Sequence, residues 1–412
     1  MDWRNRLGLY GAYFLGMAGI GFTLPYLPLY LGGEGLSDRA IGLVSTLAAL
    51  AGLVQYPVAR WSDRVGRRKP FLVAALAVLA AATVLLCGAH NRVVVGVLVV
   101  LFAENGACRA TVESLTGAEA AHLAAPGQVG KALGALRFWK PLSIIAVALA
   151  GAVVAERFGV GAILPPLAAV QALAVVAALL IREAAPESSV PTAAEPKGTP
   201  LPAGAATSRD GTLWAFVAAM VLFHVANAPG GVYLGLFLKR DLRAPERYLS
   251  YAFVVSMVAW MLAVRPVGRW ADRLGRRPLL IAGWAVMALR LGLVSVAATP
   301  LQVLAIQTLD GLAQAFFAVV AAAWVTDRLA DGRRVGEAQA LVGASLVFGS
   351  AVGPALAGLV VEEWGYRAAF GLLAAVGVAA TAVVVFLIPE TAPERRPAAE
   401  VRVSWEGKGA GS

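Results

Sequence analysis

Apolar residues fall in long unbroken blocks along this chain, and polar residues collect between them. A helix needs about 20 mostly apolar residues to cross roughly 30 Å of hydrocarbon at 1.5 Å per residue. Twelve blocks meet that length, at about 7–31, 41–60, 70–89, 93–114, 132–154, 160–181, 212–238, 249–268, 278–298, 300–326, 336–361 and 368–388. None alternates with the period of two that a barrel strand requires, and lipid cannot satisfy a bare backbone. Each block is therefore predicted to be a membrane-crossing helix. They are numbered here as spans 1 to 12.

Composition agrees with that pattern. Of 412 residues, 59% are apolar and 15% charged, against about 45–50% and 25% in soluble domains, and mean hydropathy is +0.72. So few charges could not cover the surface of a soluble protein, which argues against a soluble enzyme, a disordered chain and a nucleic-acid binder. The formal net charge of +10 reflects basic loops. With the N-terminus inside, 22 basic residues fall in cytoplasmic segments and 8 in outer ones, which sets the orientation with both termini cytoplasmic. The awkward outer loop is 239–247, where four basic residues accompany Asp241 and Glu246. Cys87 and Cys108 both lie in apolar runs and form neither a disulfide framework nor a zinc spacing. No metal or other cofactor is expected. The start M-D-W-R-N-R runs into span 1 without an A-x-A-like cleavage site, so this segment reads as a span and not as a removed signal peptide.

Residues 183–211 are rich in Pro, Ala, Ser and Thr and read as a flexible cytoplasmic linker. They separate a six-span bundle at 1–182 from a second at 212–389, and the polar tail 390–412 reads as disordered. The halves repeat. Residues 57–68 are P-V-A-R-W-S-D-R-V-G-R-R and residues 266–277 are P-V-G-R-W-A-D-R-L-G-R-R, identical at nine of twelve positions with an offset of 209. The predicted fold is an all-α membrane protein of twelve transmembrane helices in two pseudo-symmetric six-helix bundles, an arrangement that places a substrate site where the halves meet.

The loop pattern G-x-x-x-D-R-x-G-R-R resembles the signature between helices 2 and 3 of the major facilitator superfamily, which recurs weakly between helices 8 and 9. The second copy here is complete, with Gly268, Asp272, Arg273, Gly275, Arg276 and Arg277. The first has Ala59 in place of the leading glycine, then Asp63, Arg64, Gly66, Arg67 and Arg68. The resemblance covers essentially residues 1–390. A carboxylate such as Asp63 at the lipid–water edge needs a basic group or a helix N-terminus. Gly66 permits the tight turn. Arg67 and Arg68 are placed to bridge to the neighbouring bundle and hold the cytoplasmic side closed. The alternative is that these arginines only set topology.

Ionisable residues inside spans are functional candidates by default. In span 4, Arg109 and Glu113 are four apart and are expected to pair, either at the site or as a structural tie. Glu104 lies on the other side of that helix and needs a partner elsewhere, or a proton. Span 5 begins G-A-L-R-F-W-K-P. It resembles the Gly-x-x-Arg-aromatic start of helix 5 in proton-linked sugar and phenylpropionate symporters of the superfamily. That resemblance implies that Arg137 binds substrate opposite Glu119. Lys140-Pro141 departs from the pattern, and the alternative is that Arg137 and Lys140 snorkel to the surface. Span 7 carries His224 and Asn227 on one face before Pro229-Gly230-Gly231, which is expected to break or soften the helix. His224 either carries a proton or simply bonds a neighbouring helix. Span 10 shows a polar stripe of Gln307, Asp310 and Gln314 predicted to line the cavity. Asp310 is the second coupling candidate, with Arg290 or Arg265 as partner. Span 11 contains G-S-A-V-G-P-A-L-A-G, a close-packing helix; drug–proton antiporters of the superfamily carry G-x-x-x-G-P in helix 5, whereas here the pattern falls in span 11 and span 5 lacks it.

No Walker loop is present, so ATP is not expected to drive a cycle. The chain is predicted to be a secondary active transporter, not an enzyme. It is expected to move a small organic solute across the cytoplasmic membrane by alternating access, coupled to protons, and to act as a monomer in the bilayer without nucleic acid. Multidrug efflux is the alternative within transport. A non-transporting receptor or scaffold is the alternative outside it.

Overall fold

The computed structural model describes residues 3–104, 106–123, 129–182, 211–328 and 335–391. Among the described residues the secondary structure is helical throughout. Ten helices are long and apolar enough to cross a membrane. A further crossing, span 1, is the bent pair Trp3–Thr23 and Leu27–Gly33, turned by 54°. The last of the ten, Val335–Leu387, has 53 residues, or about 80 Å of helix at 1.5 Å per residue, far more than a bilayer needs. It breaks at Gly365, whose φ of 81° and ψ of 173° glycine adopts without steric cost. The break divides spans 11 and 12, and the count becomes twelve.

Helix starts follow local signals. Ser37 caps span 2 (Asp38–Val65) by accepting from the Ala40 amide, and Asn91 caps span 4 by accepting from Val93 and Val94. Thr299 and Gln302 form a reciprocal capping box on span 10. Span 2 stops at Gly66, in the left-handed conformation with φ 70°.

The break offered as one outcome for span 7 is absent, and the continuity expected of span 4 is corrected. Span 7 is one helix, Gly211–Arg240, with Pro229 inside it. Span 11 packs against the proline, since a Cβ at Gly353 would come within 3.0 Å of the Pro229 ring. Span 4, by contrast, is not continuous. It stops at Phe102 and resumes at Ala107. The repeat offset of 209 carries Ala107 onto Phe316, and span 10 contains a π turn at Phe317–Ala321. The break at 103–106 maps onto 312–315, within about one turn of the π turn, and such departures from regular helix concentrate at functional sites.

One apolar core lies within the first half, around Leu9, Tyr13, Leu72, Leu76 and Val112. A larger one joins both halves through residues such as Phe22, Tyr26, Tyr233 and Leu249. Large apolar side chains also lie outside, with Leu262 72%, Val296 71% and Phe386 81% exposed. Such exposure suits acyl chains and not water.

Cross-half hydrogen bonds gather at the end opposite the linker, which we call the lock end. Arg240 Nη1 donates to both carboxylate oxygens of Asp38 at 2.9 Å and to the Tyr366 hydroxyl at 2.8 Å. Tyr366 donates to Asp38 at 3.1 Å. Tyr233 donates to the Asp38 carbonyl at 2.9 Å. On the other flank, Ser250 donates to the Ala148 carbonyl at 2.6 Å and lies 2.8 Å from the Tyr26 hydroxyl, and Arg247 lies 3.5 Å from Glu156. Span 2 of the first half therefore ties to spans 7 and 11–12, and span 8 of the second half ties to spans 1 and 5.

Candidate functional site

The break in span 4 frees a backbone carbonyl inside the membrane, where no water can satisfy it. Arg109 fills that role: its Nη1 donates to the Phe102 carbonyl, and its guanidinium lies 4.6 Å from the Phe102 ring centre. The side chain is 1% exposed. It rests against Gly19 of span 1, where any Cβ would overlap Nη2, with Gln171 of span 6 alongside. Gln171 in turn accepts from Thr83 of span 3. Spans 1, 4 and 6 thus gather around one buried guanidinium, and span 3 joins through Gln171.

The expected Arg109–Glu113 pair does not form, because Arg109 is turned to the broken backbone. Glu113 pairs with Lys140 of span 5 at 2.7 Å and accepts from Tyr13 of span 1 at 3.4 Å. Lys140, left open above between snorkelling and function, therefore points into the bundle. Glu104 sits in the break itself, half-buried, with no ion pair or hydrogen bond to its side chain among the described residues. Its isolation holds, but the reason is the break and not its angle around a helix. The symporter resemblance implies that Arg137 binds substrate opposite Glu119. Glu119 lies 3.9 Å from Arg68 of the motif loop, and Arg137 is exposed.

In the second half the polar residues of spans 7, 9 and 10 converge on Arg290. Its Nη1 donates to Asn227 at 3.2 Å and its Nη2 to Gln307 at 3.0 Å. Asp310 Oδ1 is 3.4 Å away, and Asp310 Oδ2 accepts from Ser256 of span 8 at 2.5 Å. Arg290 is 2% exposed and lies on Gly230, where a Cβ would stand 3.0 Å from both terminal nitrogens. Asp310 is thus not a carboxylate alone in a neutral stripe; of the two arginines offered as partners, Arg290 is the one it meets, and Arg265 is exposed. Gln314 is half-buried. His224 is buried among aromatic rings, 4.4 Å from the Phe317 ring in the π turn and 5.4 Å from Phe223. Its Nε2 has no hydrogen-bond partner among the described residues, so the expected interhelical bond from that atom is absent.

The motif loops tie mainly within their own halves. Asp63 accepts from Arg68 Nε at 3.2 Å and Nη2 at 2.9 Å, which supplies the basic partner its position requires. Arg68's described partners, Asp63 and Glu119, both belong to the first half, so it does not bridge to the other bundle here. Arg64 and Arg273 are exposed. In the second copy Gly275 has φ 93°. Arg276 Nε reaches Asp327 at 3.1 Å, and Arg277 Nη2 donates to the Val385 carbonyl at 2.8 Å. Glu390, expected in the disordered tail, instead accepts from the Arg276 and Arg277 amides at 2.8 and 3.0 Å, at the N-terminus of span 9. The side chain of Asp272, the linker 183–210 and the tail from 392 lie outside the described residues.

The lock-end groups escaped the sequence reading. Asp38 follows a capping serine, and an acid there is equally explained by the helix N-terminus. Gln171, a lone amide in an otherwise apolar run, carried a readable signal.

A profile described as the MFS_1 like family matches residues 7–372. The chain belongs to this family of the major facilitator superfamily. Among curated relatives it is similar to the multidrug resistance protein MdtL of Shigella flexneri serotype 5b (strain 8401). The identity is 31% over 179 residues, 42% of this chain and 44% of that protein. The same values hold for MdtL of Escherichia coli (strain SMS-3-5 / SECEC). The match thus spans less than half the length of these relatives. Among solved structures, the nucleoside transporter NupG superposes with a TM-score of 0.79 at 15% identity, over 93% of this chain and 98% of that one. A bacterial homolog to the human lysosomal transporter Spinster, in an inward-facing and occupied conformation, gives 0.73 at 14% over 93% and 97%. At such identities these neighbours establish the fold of this MFS_1 like protein, a multi-pass membrane protein, and not its substrate.

Proposed function

We propose that this chain is a secondary active transporter that carries a small organic solute across the cytoplasmic membrane by alternating access, coupled to protons, as a monomer. The observation that carries the reading is the pair of charged centres inside the membrane. Glu104, Arg109, Glu113 and Lys140 lie in the first half, and Arg290 with Asp310 in the second, in bundles tied together at one end. Charges at that depth are costly and mark solute or ion paths. The MdtL likeness favours multidrug efflux as the second reading. Centres with both signs of charge suit a polar solute better than an apolar drug. The test is proton flux in proteoliposomes against a panel of small polar solutes and of apolar cationic dyes. Flux with polar solutes supports the first reading, flux only with dyes supports efflux, and none with either contradicts transport.

The coupling role falls to Glu104, the half-buried carboxylate without an ion pair or hydrogen bond among the described residues. An unpaired carboxylate away from water prefers to hold its proton until water or a substrate cation reaches it. Glu104→Gln is expected to abolish uphill accumulation while leaving solute exchange within about twofold of the parent, since exchange needs no net proton release. Accumulation that survives this substitution would remove Glu104 from the cycle.

The basic bias of 22 to 8 supports a cytoplasmic linker and cytoplasmic termini. In a Cys87→Ser, Cys108→Ser background, a cysteine at Ala203 is then expected to react with an impermeant thiol reagent only after cells are permeabilised. Labelling in intact cells would reverse the orientation.

The motif loop supports a cytoplasmic gate. Asp63→Asn is expected to keep solute binding and slow turnover by about tenfold, because it frees Arg68 and touches no part of the charged centres. Unchanged turnover together with unchanged accessibility at the linker end would contradict that role.

A further inference from the structure

The charges of the two centres mostly pair with one another. Lys140 holds Glu113 at 2.7 Å, and Arg290 faces Asp310 at 3.4 Å. Arg109 and Glu104 are left over. Arg109 touches the Phe102 carbonyl and ring, Gly19 and Gln171, all neutral, and makes no ion pair among the described residues. The acidic groups within its electrostatic reach are the Glu104 carboxyl and the Cys108 thiol. Glu104 in turn has Lys140, Arg109 and Glu113 within reach, while Tyr13 and the exposed Arg137 face Glu113. The centre is open on one side, since the Glu113 side chain is 40% and the Lys140 side chain 28% exposed.

Alternating access carries this centre through a state sealed at both ends, where a charge without a counter-charge is costly. With Glu104 ionised and no solute, the two leftover groups balance. With Glu104 protonated, Arg109 is uncompensated and the centre holds one net positive charge. A neutral solute arriving with the proton leaves that charge in place. A cation exchanged for the proton leaves it too. A solute with one negative charge cancels it. We propose that the solute is a small organic monoanion carried together with one proton, and that Arg109 is neutralised in turn by Glu104 and by the solute. The empty and the doubly loaded forms are then the neutral ones, so these cross, and transport is electroneutral. The second segment of span 4 starts at Ala107 without a side-chain cap and turns the positive end of its dipole toward the same break. Arg109 Nε has no acceptor among the described residues. The proposal rests on the alternating-access reading above and names its substrate class and stoichiometry.

The test reads opening of the lock end in the full chain in lipid nanodiscs, by thiol labelling of Thr46→Cys in a Cys87→Ser, Cys108→Ala background. Thr46 sits two turns inside the lock and donates to the Ala351 carbonyl across the seam at 2.5 Å. Glu104→Gln fixes the charge state of the protonated form. Without solute it is expected to slow labelling about tenfold. Adding Arg109→Gln, which keeps a donor for the Phe102 carbonyl, removes the leftover cation and is expected to restore the parent rate. A second arm needs no further substitution. The Glu104→Gln protein receives propionate or propionamide, benzoate or benzamide, and propanesulfonate or propanesulfonamide. At least one anion is expected to restore the parent rate, and its neutral partner to have no effect. Parent-rate labelling of Glu104→Gln without solute overturns the charge rule. Restoration by a neutral partner as well as its acid, or by none of the acids, overturns the substrate class. A parent protein that never labels at Thr46→Cys contradicts alternating access, and this proposal with it. A parent that labels beside an unaffected Glu104→Gln overturns this proposal alone.

Discussion

Asp310→Asn is expected to lower the stability of the purified protein by about 3 kcal/mol, the scale at which a buried ion pair loses one partner. The cause is what remains behind. Arg290 is 2% exposed, and without Asp310 its charge faces only the neutral oxygens of Asn227 and Gln307. Arg290→Met is also expected to destabilise, since it leaves Asp310 with Ser256 alone. The double variant is expected to cost less than the sum of the two singles, with a coupling of about 1–3 kcal/mol. Thermal unfolding of the four proteins in one detergent measures the cycle. Strict additivity would show that the 3.4 Å approach of Arg290 and Asp310 carries no energy. Uphill transport is expected to be lost in Asp310→Asn as well, because spans 7, 8, 9 and 10 all meet at this centre.

The second large effect concerns the lock. Asp38 receives Arg240, Tyr366 and, through its backbone carbonyl, Tyr233. Asp38→Asn keeps the backbone bond and removes the charge. The Arg240 side chain is 38% exposed, so solvent screens part of the interaction, and the loss is about 1–2 kcal/mol. That is enough to shift a balance between lock-closed and lock-open forms by about tenfold. Thiol labelling of Thr46→Cys is expected to accelerate by that factor, and Tyr366→Phe to have a smaller effect in the same direction. Unchanged labelling in Asp38→Asn would mean that the apolar seam, and not this ion pair, holds the lock end shut.

Much of the architecture was legible because hydrophobic length is a strong signal. The apolar block at 278–298 predicts span 9, which runs Arg276–Val296; the block at 212–238 predicts span 7, which runs Gly211–Arg240. The turn at Gly66 followed from its place in the motif, and the polar stripe of span 10 followed from spacing. The partners inside the site were less legible, and span 4 shows why. Pairing Arg109 with Glu113 assumed an unbroken helix. The chain instead breaks between Phe102 and Ala107, and the freed carbonyl claims the guanidinium. Glu113 then takes Lys140, 27 residues away, a choice that depends on how spans 4 and 5 pack. The lock was illegible for a different reason. Arg240 and Asp38 are 202 residues apart, and each has a sufficient local explanation in its own helix end. Pairing between halves depends on tertiary docking, which no periodicity encodes.

The claim beneath these predictions is that the two ends of the bundle open in turn. Arg60 and Arg269 occupy equivalent places in the repeat at the linker end, and Arg157 and Asp241 are exposed on opposite halves at the lock end. Spin labels at each pair, in a cysteine-free background, allow both distances to be read by electron double resonance, with and without Asp38→Asn. The account predicts a reciprocal change in the variant, with a longer Arg157–Asp241 distance and a shorter Arg60–Arg269 distance. If the lock-end distance grows while the linker-end distance stays fixed, the ends are not coupled, and alternating access is contradicted for this chain.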